Sequence, residues 1–220
     1  STLMRSSAAS DVYKRQQYGY TDNTKTHKVN DSTLYDLASV SKIAGTLPGL
    51  MLAYDEGLYK LDDPAYKYIP GLQQRGKDDI TPRQLLLHES GLPAAINLSK
   101  FMMDTTSYTG KLIAYRMRGD NTIKIAKGVY ANRNARLRRD ITSKTRTEDF
   151  DKQVADGLYV SDATVDSIME QIYAVDTRDS KNYLYSDLNF ALLMDMEQNV
   201  SGQPHDMFCL LYTSPSPRDG

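Results

Sequence analysis

The run Thr81-Pro-Arg-Gln-Leu-Leu-Leu-His-Glu-Ser-Gly-Leu-Pro93 leaves the backbone fewer choices than any other part of this chain. Thr81 offers a side-chain oxygen to the bare N–H groups of a helix start. Pro82 brings a φ already suited to the first helical position, and Gln84 stands where it can reach back and complete a capping box. Leu85, Leu86 and Leu87 supply an apolar side, and Gly91 followed by Pro93 ends the element. A helix running from Pro82 towards Gly91 is therefore expected.

Other segments are legible in the same terms. Val165, Ile168, Met169 and Ile172 repeat at the helical period behind a capping Ser161. Leu188, Ala191, Leu192 and Met196 share a face of a last helix that follows Tyr185-Ser-Asp187 and stops at Gly202. Upstream, Leu34-Tyr-Asp-Leu-Ala38 leads into a helix carrying Lys42, Leu47, Leu50, Met51 and Tyr54, with Gly57 at its end. Gly45, Pro48 and Gly49 interrupt it. An interior proline costs roughly 3 kcal/mol, so a kink or break is expected near Ala44. Gln17-Tyr-Gly-Tyr20 reads as a strand entering a hairpin turn over residues 21–26. Leu61-Asp-Asp-Pro64 and Tyr68-Ile-Pro70 form a connecting loop. Between Lys111 and Arg146 the chain turns basic, with eleven Lys or Arg against two Asp. The expectation is a mostly helical chain with one edge of a sheet and no internal repeat.

Both ends read as foreign. Residues 6–16 are what one reading frame of a transposon-based sequencing adapter encodes, and residues 209–219 read like the complementary strand of its partner. The expected division is a non-native 1–16, a natural domain 17–208 cut at both ends, and a non-native 209–220. The only cysteine, Cys209, falls in the last of these, so the natural part offers neither a disulfide nor a thiolate metal site. No apolar run approaches the ~20 residues of a membrane span. With 40% apolar residues and a net charge of −1, one globular domain is expected, with no general attraction to nucleic acid.

Chemistry enters at Ser39-Val-Ser-Lys42. Residues three apart lie on one helical face, so a hydroxyl is set beside an amine, and a partly buried lysine can accept a hydroxyl proton. Ser-x-x-Lys arises by chance in many chains and is normally a helix start followed by a solvated lysine. Here it is joined, in order, by Leu85-Leu-Leu-His-Glu-Ser-Gly-Leu-Pro93 and Tyr185-Ser-Asp187-Leu-Asn-Phe190. This trio resembles the serine β-lactamase and penicillin-binding-protein superfamily, in its class C-like branch with D-alanyl-D-alanine carboxypeptidases and related esterases.

The resemblance implies an α/β fold of serine β-lactamase type: an antiparallel sheet flanked by helices, with a helical subdomain and with the C-terminal sheet strands missing. It implies Ser39 as the acylated nucleophile, its own N–H forming half of an oxyanion hole, and Lys42 as acceptor or relay of its proton. Tyr185 would match the tyrosine of the family's Tyr-x-Asn motif, as base and then as acid to the leaving group. A phenol titrates near ~10 and needs the lysine's positive field to serve at neutral pH. No cofactor is implied, and no metal-ligand spacing is present.

Two departures qualify that picture. Asp187 replaces the usual asparagine, offering substrate an acceptor-only carboxylate that would pair with Lys42 and keep it protonated. It also permits a rival alignment, in which Ser186-Asp187-Leu188 matches the Ser-Asp-Asn element of other branches. The third family motif, Lys-Thr-Gly or His-x-Gly, is absent, so the fragment is expected to be inactive whatever its parent does.

Of the remaining candidates, His88 is expected to be a packing residue, and His27 and His205 have no clear partners. Arg136, within Tyr130-Ala-Asn-Arg-Asn-Ala-Arg136, would bind carboxylate-bearing substrate if its segment lines the cleft. The alternative is a solvated surface loop. Tyr130–Leu137 and Leu192-Leu-Met-Asp-Met-Glu-Gln198 also resemble the hydrolase domain that some bacteria fuse behind a family 3 β-N-acetylglucosaminidase. That would place a glycoside hydrolase domain upstream and the parent in a bacterial periplasm or outside the cell.

The function implied is hydrolysis of an ester or amide through an acyl-enzyme, on a small-molecule or peptidoglycan-type substrate, with β-lactams second. The alternative is a non-catalytic cell-wall-binding module that keeps the fold.

Overall fold

The computed structural model describes residues 18–21, 25–30, 32–33, 38–155 and 157–203. Gln17, residues 22–24 of the expected turn, residues 34–37, His205 and the two terminal segments lie outside the described residues. The chain divides into two units, residues 1–41 and 42–220.

In the first unit the expected strand and turn are described only in part, by an isolated bridge and the backbone bonds beside it. Tyr20 and Lys28 form an antiparallel bridge, the Thr21 N–H donates to the His27 carbonyl (2.9 Å), and the Val29 N–H to that of Gly19 (3.2 Å). Further along, Ala38 has a φ of +44°, a left-handed conformation that costs a residue with a Cβ roughly 1–2 kcal/mol. Its carbonyl accepts from both the N–H (3.1 Å) and the hydroxyl (2.5 Å) of Ser41.

The second unit opens with a π-helical turn, Lys42–Thr46, which passes into helix α1, Leu47–Asp55. Pro48 therefore falls in the first turn of α1, where no N–H is required of it. The break expected near Ala44 takes the form of a π-to-α change. Leu50 and Ala53 are buried, and Met51 and Tyr54 face out. The connecting loop contains two 3₁₀ turns, Ala65–Lys67 and Pro70–Leu72. Helix α2, Pro82–Leu86, has the full capping box: Thr81 accepts from the Gln84 N–H (3.3 Å) while Gln84 accepts from the Thr81 N–H (3.1 Å).

Two expectations are corrected. Helix α2 does not run towards Gly91; it ends at Leu86, and the chain turns at His88, whose φ is +57°. The expectation of a mostly helical chain with one sheet edge also fails. After a short helix α3, Ser99–Met102, eight strands follow: β1 Met103–Asp104, β2 Ile113–Ala114, β3 Asn121–Ala126, β4 Val129–Asn132, β5 Arg136–Leu137, β6 Thr142–Ser143, β7 Lys152–Ala155 and β8 Leu158–Val160. They form three small antiparallel sheets, β1-β5, β2-β4-β3 and β6-β8-β7. Lys127 and Gly128 close the β3–β4 hairpin, where the Gly128 φ of +72° suits a two-residue turn. The basic segment is thus built from strands and turns rather than left as a loop.

Helix α4, Asp162–Ala174, is capped by Ser161, whose hydroxyl accepts from the Thr164 N–H. Helix α5, Asp187–Ser201, is capped by Ser186 and stops at Gly202, whose φ is +66° and whose N–H returns to the Gln198 carbonyl. The core joins α1, the loop after it, α2, α4 and α5: Leu50, Ile69, Leu72, Ile80, Leu85, Leu192, Leu193 and Met196 are fully buried. Burying each such side chain stabilises by roughly 1.5–3 kcal/mol. Tyr59 closes one side of the core, donating its hydroxyl to the Leu50 carbonyl (3.1 Å), and burial pushes its ionisation up to about 12. No described helix is long and apolar enough to cross a membrane.

Candidate active site

The start of α5 carries three side chains of opposite character in three consecutive residues. Tyr185 stands just outside the helix, Ser186 caps it, and Asp187 opens it, where a carboxylate suits the helix dipole. This turn is tied down from several sides. The Asp187 N–H donates to the Ala94 carbonyl (3.0 Å), the Ser186 hydroxyl to that of Pro93 (2.6 Å), and the Leu184 N–H to that of His88 (2.9 Å). The Ser186 oxygen also accepts from the Leu188 N–H (3.2 Å) and the residue is fully buried. Its hydroxyl is therefore committed to structure, which disfavours the rival alignment that would make it reactive.

Lys42, the first residue of the π turn, meets this start. Its Nζ lies 2.8 Å from Asp187 Oδ1 and 5.6 Å from the centroid of the Tyr185 ring. The lysine side chain is 18% exposed and the aspartate 62%. The hydrogen bond to Asp187 holds the ammonium above the ordinary lysine range; partial burial opposes this, and the Tyr185 oxygen adds to it. The pairing expected from Asp187 is thus present, and Lys42 is an ammonium at neutral pH rather than a free amine. It sets a positive charge beside the Tyr185 ring.

Ser39 belongs to the first unit, where it is exposed on the turn that follows the strained Ala38. Arg136 is placed on β5. Its N–H donates to the Ser107 hydroxyl, and its guanidinium donates to the carbonyls of Arg133 (2.8 Å) and Ala135 (3.0 Å). With Lys100 and Arg139 it lines a depression of ≈660 Å³. Lys42, Tyr185 and Asp187 are brought together, and Arg136 keeps its contacts within the β-rich segment.

His88 is buried in the second unit. Its Nδ1 is 3.1 Å from the Ser186 N–H and 3.1 Å from Asn189 Nδ2. Two donors on one ring nitrogen require that nitrogen to be unprotonated, so the proton is assigned to Nε2. Burial, and then the charge of Lys42, push the imidazole below its ordinary range, with Asp187 opposing. The Ser90 hydroxyl donates to Asn189 Oδ1 (2.6 Å), which turns the amide N–H₂ towards His88. Ser90 and Asn189 did not stand out from the sequence. A usable signal existed: Asn189, Leu192, Leu193 and Met196 fall on one helical stripe, and a buried asparagine on an apolar stripe needs partners.

The chain matches the family described as Beta-lactamase over residues 4–209. It is 32% identical over 83 residues to Penicillin-binding protein 4* of Bacillus subtilis (strain 168), a stretch covering 38% of this chain and 18% of that protein. It is 36% identical over 88 residues to Protein flp of Staphylococcus aureus (strain NCTC 8325 / PS 47), covering 39% of this chain and 18% of that one. Among solved structures it is similar to FmtA from Staphylococcus aureus, with a TM-score of 0.52 and 17% identity over 89% of this chain and 38% of that chain. That likeness is one of fold: a mixed α/β architecture of antiparallel sheets and helices.

Proposed function

The chain belongs to the Beta-lactamase family, and from that premise we propose that its parent is a serine hydrolase working through an acyl-enzyme on Ser39. The observation that carries the reading is the Lys42 ammonium held between the Asp187 carboxylate and the Tyr185 ring. The Ser39 oxygen attacks the carbonyl carbon of an ester or amide as its proton passes to the Tyr185 oxygen, whose anionic form Lys42 stabilises. The Ser39 N–H is one donor to the developing oxyanion. As the intermediate collapses, Tyr185 returns the proton to the departing alcohol or amine. Water then cleaves the acyl-serine by the same steps in reverse, and the serine regains its proton.

The substrate class is a cell-wall peptide or ester, with β-lactams second. Asp187 and Arg136 are the residues proposed to meet substrate, Arg136 through the anionic end of a long one. The proposed setting is the periplasm or the cell exterior, with the fused upstream glycoside hydrolase domain as a further element of the same reading. The Lys42–Asp187 pair also favours a second reading, a cell-wall-binding module whose chemistry has been quenched.

Labelling the full-length parent with a fluorophosphonate and a fluorescent penicillin separates the two. Covalent labelling that disappears in Ser39→Ala and falls sharply in Tyr185→Phe supports the hydrolase; no labelling by either reagent supports the binding module.

A further inference from the structure

We propose that His88 is the positioning residue for Tyr185. The inference rests on the assignment of Tyr185 to the chemistry and explains what the Leu-Leu-Leu-His-Glu-Ser-Gly segment is for. His88 grips the Tyr185–Asp187 turn at three points. Its carbonyl takes the Leu184 N–H (2.9 Å) on one side of Tyr185, and its Nδ1 takes the Ser186 N–H (3.1 Å) on the other. Between these, its ring lies against that of Tyr185 with centroids 4.7 Å apart at 41°. One residue almost a hundred positions upstream thus bonds the backbone on both sides of the phenol, beside the bonds to Pro93 and Ala94 that hold the same turn.

Two features mark this as more than core packing. His88 holds a φ of +57° as the left-handed residue after the cap of α2, where the Glu89 N–H closes on the Gln84 carbonyl (2.8 Å) and its own N–H on that of Leu85 (3.2 Å). Here it turns ring and carbonyl to the same partner. The ring is also set from behind: Ser90 fixes the Asn189 amide, and the amide donates to the same Nδ1. Ser90, Asn189, His88 and Ser186 form one polar chain ending at the residue after Tyr185.

The grip depends on proton state. A proton on Nδ1 would set three donors against one another and eject the Ser186 N–H. The charged groups near the ring are Lys42 and Asp187, and the titratable rings against it are Tyr183 and Tyr185. Tyr185 should therefore lose its placement as His88 becomes protonated.

Asparagine tests this, because its Oδ1 can take the Ser186 N–H, it tolerates positive φ, and it does not titrate. In the parent, His88→Ala should slow labelling of Ser39 by about tenfold to a hundredfold with little change in half-saturating reagent. His88→Asn should recover most of the rate and remove the loss of rate that follows His88 protonation. A folded His88→Ala protein labelled at the wild-type rate would overturn the proposal.

If the wild type is not labelled, the hydrolase reading falls and the placement is judged by NMR of the chain. The Tyr185 ring signals should move in His88→Ala, stay in His88→Asn, and titrate with His88 in the wild type. Ring signals indifferent to both substitutions would overturn it.

Discussion

The helical part of the second unit and its β-rich segment are held together by different means. Among the described residues, all the fully buried large apolar side chains but Val160 come from residues 50–92 and 188–196. Among the described residues of 103–160 the buried hydrophobics are Ala114 and Val160, and the other buried side chains are polar: Asn121, Asn132 and Thr142. These act on backbone. Asn121 donates to the Lys111 carbonyl (3.0 Å), Asn132 to that of Thr109 (3.0 Å), and Thr142 to that of Arg138 (2.6 Å). One region is fastened by water exclusion, which is non-directional and cooperative, and the other by directional bonds worth about 1 kcal/mol each. The proposed chemistry of Lys42, Tyr185 and Asp187 sits on the first, where side chains are held most firmly.

The sharpest way to break this comparison is to cut equally into both regions. Leu192→Ala, in the middle of α5, should cost about 2–5 kcal/mol of unfolding free energy. Ile123→Ala, on β3 and 51% exposed, should stay within about 0.5 kcal/mol. Urea titration of both reads the difference, and equal costs would mean that the β-rich segment has an apolar anchor of its own.

Close fit within the helical part predicts the next effect. A Cβ added at Gly71 would lie 2.4 Å from the Tyr173 ring. That ring is not free to swing aside, since the Tyr173 hydroxyl donates to Asp195 across α4 and α5 (2.7 Å). Gly71→Ala should destabilise by about 1–3 kcal/mol, and Tyr173→Leu in the same chain should relieve part of it. Unchanged thermal midpoints would show that the loop yields.

For the β-rich segment the counterpart is Asn121→Ala, which takes a donor from the Lys111 carbonyl at one end of the β2-β4-β3 sheet and should cost about 1–2 kcal/mol. Hydrogen exchange is the better readout. Protection should fall in β2, β3 and β4 while the amides of α5 keep theirs, because the two regions open separately. Loss of protection in α5 as well would make them one cooperative body.

His88 ties pH to the helical part. Its imidazole titrates below the ordinary range in the folded chain because of burial and the Lys42 charge, so between that value and about 6.5 the unfolded chain holds a proton that the folded one lacks. Stability should therefore fall as pH drops through this window and be fully present above it. Lys42 has the opposite sign, since its raised value keeps the ion-pair contribution intact at neutral pH and loses it only in alkali. Melting the wild type and His88→Asn between pH 5 and pH 8, values chosen to bracket the imidazole window, should show the fall in the wild type alone.

The sequence was most legible where a structural decision is made by neighbouring residues. Thr81 with Gln84, Ser161, and Gly202 each satisfy the helix end beside them, so caps and stops could be read directly. The end of α2 at His88 could not. Its positive φ closes a helix end in which the Glu89 N–H returns to the Gln84 carbonyl (2.8 Å) and the His88 N–H to that of Leu85 (3.2 Å), a turn in which glycine is the usual signal and histidine is not. Gly45 and Pro48 signalled an interruption but not its π form. The strands were hidden for another reason. β3 buries only Asn121, so there is no inner apolar face to alternate with an outer polar one, and the period-2 signal is missing. Of the candidate site, Lys42, Tyr185 and Asp187 were legible by motif, while Ser90 and Asn189, which hold His88 in place, needed the fold.

The smallest expected effect probes how much of the helical region depends on its rim. Arg83 of α2 grips Asp62 through two hydrogen bonds, 2.7 and 2.8 Å long, a geometry that looks like a clasp on the loop before α2. Both side chains are largely exposed, and an exposed pair gains little because water and salt compete for each partner. The same loop is held from inside by Tyr59, Ala65, Ile69, Leu72 and Ile80, and the Arg83 N–H, which no side-chain change removes, bonds the Leu61 carbonyl (3.0 Å). Asp62→Asn should therefore shift the urea midpoint less than any substitution above, and raising salt to ~1 M, where screening acts within ~3 Å, should abolish even that shift. A large, salt-resistant loss would mean that charge fastens this loop, and the division between an apolar-held region and a polar-held one would have to be redrawn at α2.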